Sequence, residues 1–143
     1  MSRDDRLIYL LFRAQNRLLN HLEAELSGRG IRISTKQSGV LFLLREEDLQ
    51  TMSSLAARLA TDGSALTGMI DRLEKNGFVT RRADEKDRRQ FRIALTPEGL
   101  KEVNRAEKVI RSVNEAIKEG FTEEQVDAFR DVLGHILKTF HNE

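Results

Sequence analysis

The chain of 143 residues has no cysteine, one proline and one tyrosine. Without a thiol it can build no disulfide framework, no thiolate metal site and no cysteine-based redox switch. No apolar run approaches the ~20 residues that cross a bilayer. The charged start Met1-Ser2-Arg3-Asp4-Asp5 is also unlike a secretory signal. Together these predict a cytoplasmic protein without a membrane partner. His21, His135 and His141 are far apart, and none is paired with a second histidine one helical turn away. With no glycine-rich phosphate loop either, no catalytic residue, metal site or cofactor is assigned, and an enzyme is disfavoured.

What remains is a sequence that is 39% hydrophobic and 33% charged, a balance suited to a helix-rich globular protein. A monomer of this length buries roughly two-thirds of its unfolded surface, so one core over residues 1–143 suffices. Residues 5–26 place Leu7, Leu11, Ala14, Leu18, Leu22 and Leu26 at steps of three and four, the period of one long helix. Leu10, Phe12 and Leu19 widen its apolar surface beyond what one neighbour covers, which points to a second contact, such as another subunit. Ser34 with Gln37 forms a capping box for a helix from about Thr35 to Arg45. Thr96-Pro97-Glu98 opens a helix with the stripe Leu100, Val103, Ala106, Ile110, Val113 and Ile117. A second capping box, Thr122 with Gln125, starts the last helix, whose apolar positions are Val126, Phe129, Leu133, Ile136, Leu137 and Phe140.

Residues 51–95 carry the chemistry. A short helix from about Thr51 or Ser53 presents Leu55, Ala56 and Leu59, and Thr61-Asp62-Gly63 turns the chain. From Ser64 to Asn76 the set Leu66, Met69, Ile70 and Leu73 occupies one face, leaving Ser64, Thr67, Gly68, Asp71 and Lys75 opposite. A small residue where two helices approach, here Ala56, lets the second project outward into a major groove about 12 Å wide. Phe78–Arg82 and Gln90–Leu95 then read as strands, the second with Phe91, Ile93 and Leu95 inward and Gln90, Arg92 and Ala94 outward. Net charge is only +1, yet residues 81–92 set Arg81, Arg82, Lys86, Arg88, Arg89 and Arg92 against Asp84, Glu85 and Asp87. A basic hairpin tip of this kind suits phosphates and the negative minor groove of A·T tracts. A solvated charged hairpin is the plainer alternative.

The order and spacing of Leu55-Ala56, Leu59, Thr67, Ile70-Asp71-Arg72-Leu73-Glu74, Gly77, Val79, Arg81, Asp87-Arg88-Arg89 and Leu95-Thr96-Pro97-Glu98-Gly99 resemble the MarR (multiple antibiotic resistance regulator) family. The resemblance implies a mainly α fold with a small β wing: a winged helix-turn-helix lobe at 35–97, with the helix-turn-helix at about 51–76 and the wing at about 78–95. Helices 5–26 and 98–142 would flank it and interlock in a homodimer. It also implies a transcriptional regulator, in first place a repressor, whose partner is double-stranded DNA. Ser64, Ala65, Thr67, Gly68 and Arg72 match recognition-helix positions, and Arg88 and Arg89 match the wing. Asp87 shapes the tip. Arg72 has two readings, a phosphate contact or an intramolecular partner such as Asp71 or a wing carboxylate. Gly68 departs from the larger polar residue common in the family, and Ala60 and Thr61 depart from a glycine and an apolar residue. Family members often bind small aromatic or phenolic acids, which here would place an effector pocket at Phe12, Arg13, Asn16, His21 and Phe42. These residues also fit ordinary core or interface roles. A winged-helix module used only for protein contacts is the rival function; it would not need the wing arginines.

Overall fold

In a computed structural model that describes residues 6–141, the chain runs α1 (Leu7–Gly28), α2 (Thr35–Glu46), β1 (Gln50–Thr51), α3 (Met52–Leu59), α4 (Gly63–Lys75), β2 (Val79–Ala83), β3 (Phe91–Leu95), α5 (Pro97–Lys118) and α6 (Glu123–Thr139). The expected helix start at 5 and helix end at 142 lie outside the described residues. The fold is mainly helical with one small antiparallel sheet in the order β1-β3-β2. Among the described residues, no helix is long and apolar enough to cross a membrane. The chain forms two compact units, one up to Val109 and one from Ile110 onward.

In the first unit, the core gathers Val40, Leu41 and Leu44 of α2, Leu55 of α3, Leu66, Ile70 and Leu73 of α4, Ile93 of β3, and Val103 and Ala106 of α5. Full burial of each such aliphatic side chain contributes about 1.5–3 kcal/mol. Local signals start the elements as the sequence indicates. Ser34 and Gln37 satisfy each other's backbone N–H groups at the start of α2, and the Thr96 hydroxyl accepts the Gly99 N–H at 3.0 Å to open α5. Gly99 has a steric reason to be glycine. A Cβ there would stand 2.1 Å from the Phe78 carbonyl oxygen, so only a bare Cα lets α5 approach the start of the wing.

Two polar side chains within this unit do structural work that the sequence pattern does not announce. Buried Gln50 donates to the carbonyls of Leu43 at 3.0 Å and Glu47 at 2.8 Å, closing the exposed end of α2. Its own oxygen accepts the Ser54 hydroxyl at 3.1 Å, which ties that end to α3. Buried Glu102 on α5 accepts the Arg32 N–H at 3.0 Å.

The expected inward and outward alternation of β3 holds only in part. Ile93 is fully buried as expected, but Ala94 is buried too, and Phe91 is 47% exposed. Ile93 and Ala94 point to opposite faces and both are buried, so near the base of β3 both faces are covered; at Phe91 and Arg92, where the hairpin leaves the body, neither face is. Alternation therefore gives way to a gradient along the strand.

In the second unit α6 begins at the expected Thr122–Gln125 capping box. None of its residues is buried, and Phe129, Val132, Leu137 and Phe140 stand exposed. The first unit repeats this on α1. Leu22 and Leu26 are buried, but Leu7, Ile8, Leu10, Leu11, Phe12, Leu18 and Leu19 face solvent, Ile8 being 87% exposed.

Candidate nucleic-acid interface

The α3–α4 pair is built from its caps. The Thr51 hydroxyl accepts the Ser54 N–H at 3.1 Å to start α3. Ala60 ends it in the left-handed region at φ 50°, and the next N–H, from Thr61, returns to the Ala56 carbonyl at 3.1 Å. Alanine instead of glycine there costs about 1–2 kcal/mol, but its single methyl is tolerated and the turn forms. Asp62 then caps α4, accepting the Ala65 N–H at 2.8 Å, so the helix begins at Gly63, one residue before the expected Ser64. The Asp-Gly-Ser run carried that signal. The Ala65 N–H and then the Ser64 hydroxyl hold the Asp62 carboxyl below its ordinary range, so it remains an acceptor.

Leu66, Ile70 and Leu73 turn into the core with Met69 half-buried, which leaves Ser64, Ala65, Thr67, Asp71, Arg72 and Lys75 exposed and Gly68 half-buried between them. The five expected recognition positions therefore share one surface, as steps of three and four on a helix require. Their hydroxyl protons are engaged: Ser64 donates to Asp62 at 2.7 Å and Thr67 to the Gly63 carbonyl at 2.8 Å. What they offer outward is lone pairs and the Thr67 methyl. A Cβ on Gly68 would meet nothing within 4 Å, so packing within this chain does not demand glycine there.

The wing sorts its cations into two groups that sequence spacing does not distinguish. Arg81 is clamped to α4: its guanidinium donates to Glu74 at 2.8 Å and to Asp71 at 2.5 Å, and its N–H donates to Glu74 at 3.1 Å. These carboxylates, Asp71 first, raise an already high arginine pKa further. Arg92 is held by Asp84 at 3.3 Å and by the Leu49 carbonyl at 2.9 Å. Arg81 and Arg92 are thus neutralised within the chain. Arg72, Lys75, Arg82, Arg88 and Arg89 have no side-chain partner among the described residues. Asp71 and Glu74 bind Arg81 and not Arg72. Asp87 accepts the Arg89 N–H at 3.0 Å and shapes the turn that carries both tip arginines.

Of the five effector-pocket candidates, Phe12, Arg13, Asn16 and His21 stand on the exposed stretch of α1, and Arg13 lies 5.7 Å over the Tyr9 ring. Phe42 is half-buried on α2 beneath Arg45, 5.0 Å from its ring centre. Within one chain they line open surface.

The model of the MarR family matches residues 33–91. The homoprotocatechuate degradative operon repressor of Escherichia coli is 31% identical over 108 residues, covering 76% of this chain and 70% of that protein. The chain belongs to the MarR family. Among solved structures of MarR-type regulators, the repressor CouR bound to a 23-mer DNA duplex is 25% identical, covers 93% of each chain and superposes with a TM-score of 0.85. CouR from Rhodococcus jostii RHA1 bound to p-coumaroyl-CoA is 28% identical, covers 100% of this chain and 99% of that one, and gives 0.80. MarR-family proteins are transcriptional regulators, not enzymes, and this chain is a regulator of that family.

Proposed function

We propose that this MarR-family protein is a dimeric repressor that covers a pseudo-palindromic operator and is released by a small aromatic or phenolic acid. The observation that carries the reading is the set of uncommitted cations, Arg72 and Lys75 on α4 and Arg82, Arg88 and Arg89 on the wing. A winged helix used only for protein contacts has no need to leave five cations unpaired beside a projecting helix.

In this reading residues 35–97 form the DNA-binding lobe, and helices 5–26 and 98–142 form the dimer. The exposed apolar faces of α1 and α6 support it, since water tolerates such faces poorly. Two-fold symmetry then sets the two recognition helices one DNA turn apart, roughly 34 Å. Ser64, Ala65, Thr67 and Gly68 approach base edges, Arg72 a phosphate, and Arg88 and Arg89 the flanking minor groove. Phe12, Arg13, Asn16, His21 and Phe42 become a pocket only when the second copy closes over α1. An acid bound there lowers DNA affinity by binding more tightly to a lobe spacing that does not fit the operator.

The test is a mobility shift on DNA upstream of the protein's own gene, repeated with a panel of phenolic acids. A shift that a panel member reverses is the expected result; no shift at low salt would refute DNA recognition, and a shift that no acid moves would refute the effector. On the same DNA, Arg89→Ala should lose about 1–3 kcal/mol of binding, chiefly where the flanks are A·T-rich. Equal loss on G·C-rich flanks would leave the wing as a nonspecific clamp.

Gly68 gives a second, opposed pair of readouts. Glycine inside a helix costs about 1 kcal/mol relative to alanine, and nothing in this chain occupies the space of the missing methyl. The close neighbour it accommodates is the floor of the major groove. Gly68→Ala should therefore raise stability in urea by about 1 kcal/mol while weakening DNA binding. Unchanged DNA affinity in the stabilised variant would show that no close approach occurs there.

A further inference from the structure

Arg92 lies opposite Thr51 of β1 on one side and Arg82 of β2 on the other, at the centre of the three-stranded sheet. Its guanidinium joins two segments far apart in sequence. One is Asp84, the residue that opens the wing turn, reached at 3.3 Å. The other is the carbonyl of Leu49 at 2.9 Å, in the loop that leads through β1 into α3. Leu49 is held at φ 58°, a conformation that L-residues other than asparagine and aspartate seldom adopt, so its carbonyl has a defined direction. The neighbouring Asp48 adds a tie to the same loop by accepting the Leu95 N–H at 2.9 Å. Asp84 is itself fixed: its N–H donates to the Gln90 carbonyl at 3.0 Å, it accepts the Lys86 N–H at 3.0 Å, and its side chain is only 11% exposed.

We propose that Arg92 and Asp84 form a positioning pair that fixes the pose of the wing against the helix-turn-helix, and that neither touches DNA. The proposal rests on the DNA-binding reading and adds what aims the wing. A hairpin anchored only at its base can swing, and the minor groove that Arg88 and Arg89 must enter is about 6 Å wide. Holding the tip before DNA arrives removes ordering cost from the binding step. The planar guanidinium serves its two acceptors from separate nitrogens, Nε toward Asp84 and Nη1 toward the Leu49 carbonyl. A lysine ammonium can neutralise Asp84, but it cannot also reproduce the fork that reaches the Leu49 carbonyl.

This predicts signs opposite to those of a simple charge effect. Asp84→Asn removes a negative charge from a DNA-facing hairpin, so electrostatics alone would tighten binding. A positioning role weakens it about tenfold, the scale of one lost charge-assisted hydrogen bond. Arg92→Lys keeps the charge and should lose as much affinity as Arg92→Met.

The three variants and the parent protein are titrated by fluorescence anisotropy against one labelled duplex, selected by the parent protein from a random pool, over a range of salt. All three should bind about tenfold more weakly with an unchanged salt slope, because no phosphate contact has gone. Hydrogen exchange of the DNA-free proteins gives a readout that needs no DNA. Amides 84–90 should exchange faster in each variant while those of 52–76 keep their protection. Tighter binding by Asp84→Asn, retained affinity in Arg92→Lys, a slope reduced by about 0.9 per lost contact, or unchanged exchange in 84–90 would each overturn the pairing. If the parent protein selects no duplex, the DNA reading has failed instead, and the exchange experiment alone decides whether the pair holds the wing.

Discussion

Raising monovalent salt from about 50 to 200 mM should weaken operator binding by about 10³ to 10⁵. Net charge does not drive this effect, since the chain carries only +1. The placement of the cations does. Each protomer presents Arg72, Lys75, Arg82, Arg88 and Arg89 without an acidic partner among the described residues, while Arg81 and Arg92 are neutralised internally. In the proposed dimer two protomers would supply about six to ten phosphate contacts, and the log-log slope should lie between about −5 and −9. Arg72→Ala should reduce that slope by about 0.9 for each protomer and weaken all duplexes alike. Arg81→Ala should leave the slope alone and loosen the clamp between β2 and α4. A flat salt response, or a slope that tracks Arg81 instead of Arg72, would contradict this division of the arginines.

That division marks the limit of what the sequence discloses. Elements whose causes are local are written locally: the capping boxes of Ser34 with Gln37 and Thr122 with Gln125, the Asn76-Gly77 stop of α4 and the apolar spacing of Leu66, Ile70 and Leu73 all act within one turn or two. The outward face of α4 was legible for the same reason, because a helix converts spacing directly into a shared face. Arg81 and Arg82 are adjacent and chemically identical, and only the packing of β2 beside α4 decides that the first meets Asp71 and Glu74 while the second meets solvent. The link from Arg92 to Leu49 spans 43 residues and has no local signature. The outward expectation for Ala94 failed because a two-residue period describes a sheet with one covered face, and the base of this hairpin has two.

The motif that carried the family resemblance also separates into distinct physical duties. Asp71 and Glu74 bind the wing arginine, Gly99 makes room for the Phe78 carbonyl, Asp87 turns the tip, and Thr96 caps α5. None of these contacts DNA in the proposed complex; they fix the geometry with which Arg72, Arg88 and Arg89 do. A motif match locates such residues without saying which of them scaffold and which bind.

Charging the two most exposed apolar positions of the terminal helices should split the proposed dimer. Ile8 on α1 and Leu137 on α6 are 87% and 77% exposed in the single chain, so Ile8→Glu with Leu137→Glu removes almost nothing from either unit's own core. In a dimer the same positions would bury two carboxylates per protomer without partners, at a cost that an interface of this kind cannot carry. Sedimentation at micromolar concentration should shift from twice 16.4 kDa to 16.4 kDa, with helical circular dichroism retained. On DNA the loss should depend on the number of half-sites. Linking two recognition lobes turns the second contact into an intramolecular one, a gain of about 10² to 10⁴ in apparent affinity. The doubly charged variant should lose that factor on a two-half-site duplex and almost nothing on a single half-site. A folded variant that still sediments as a dimer would place the interface away from these faces. Equal weakening on both duplexes would mean that the two substitutions had disturbed the lobe itself.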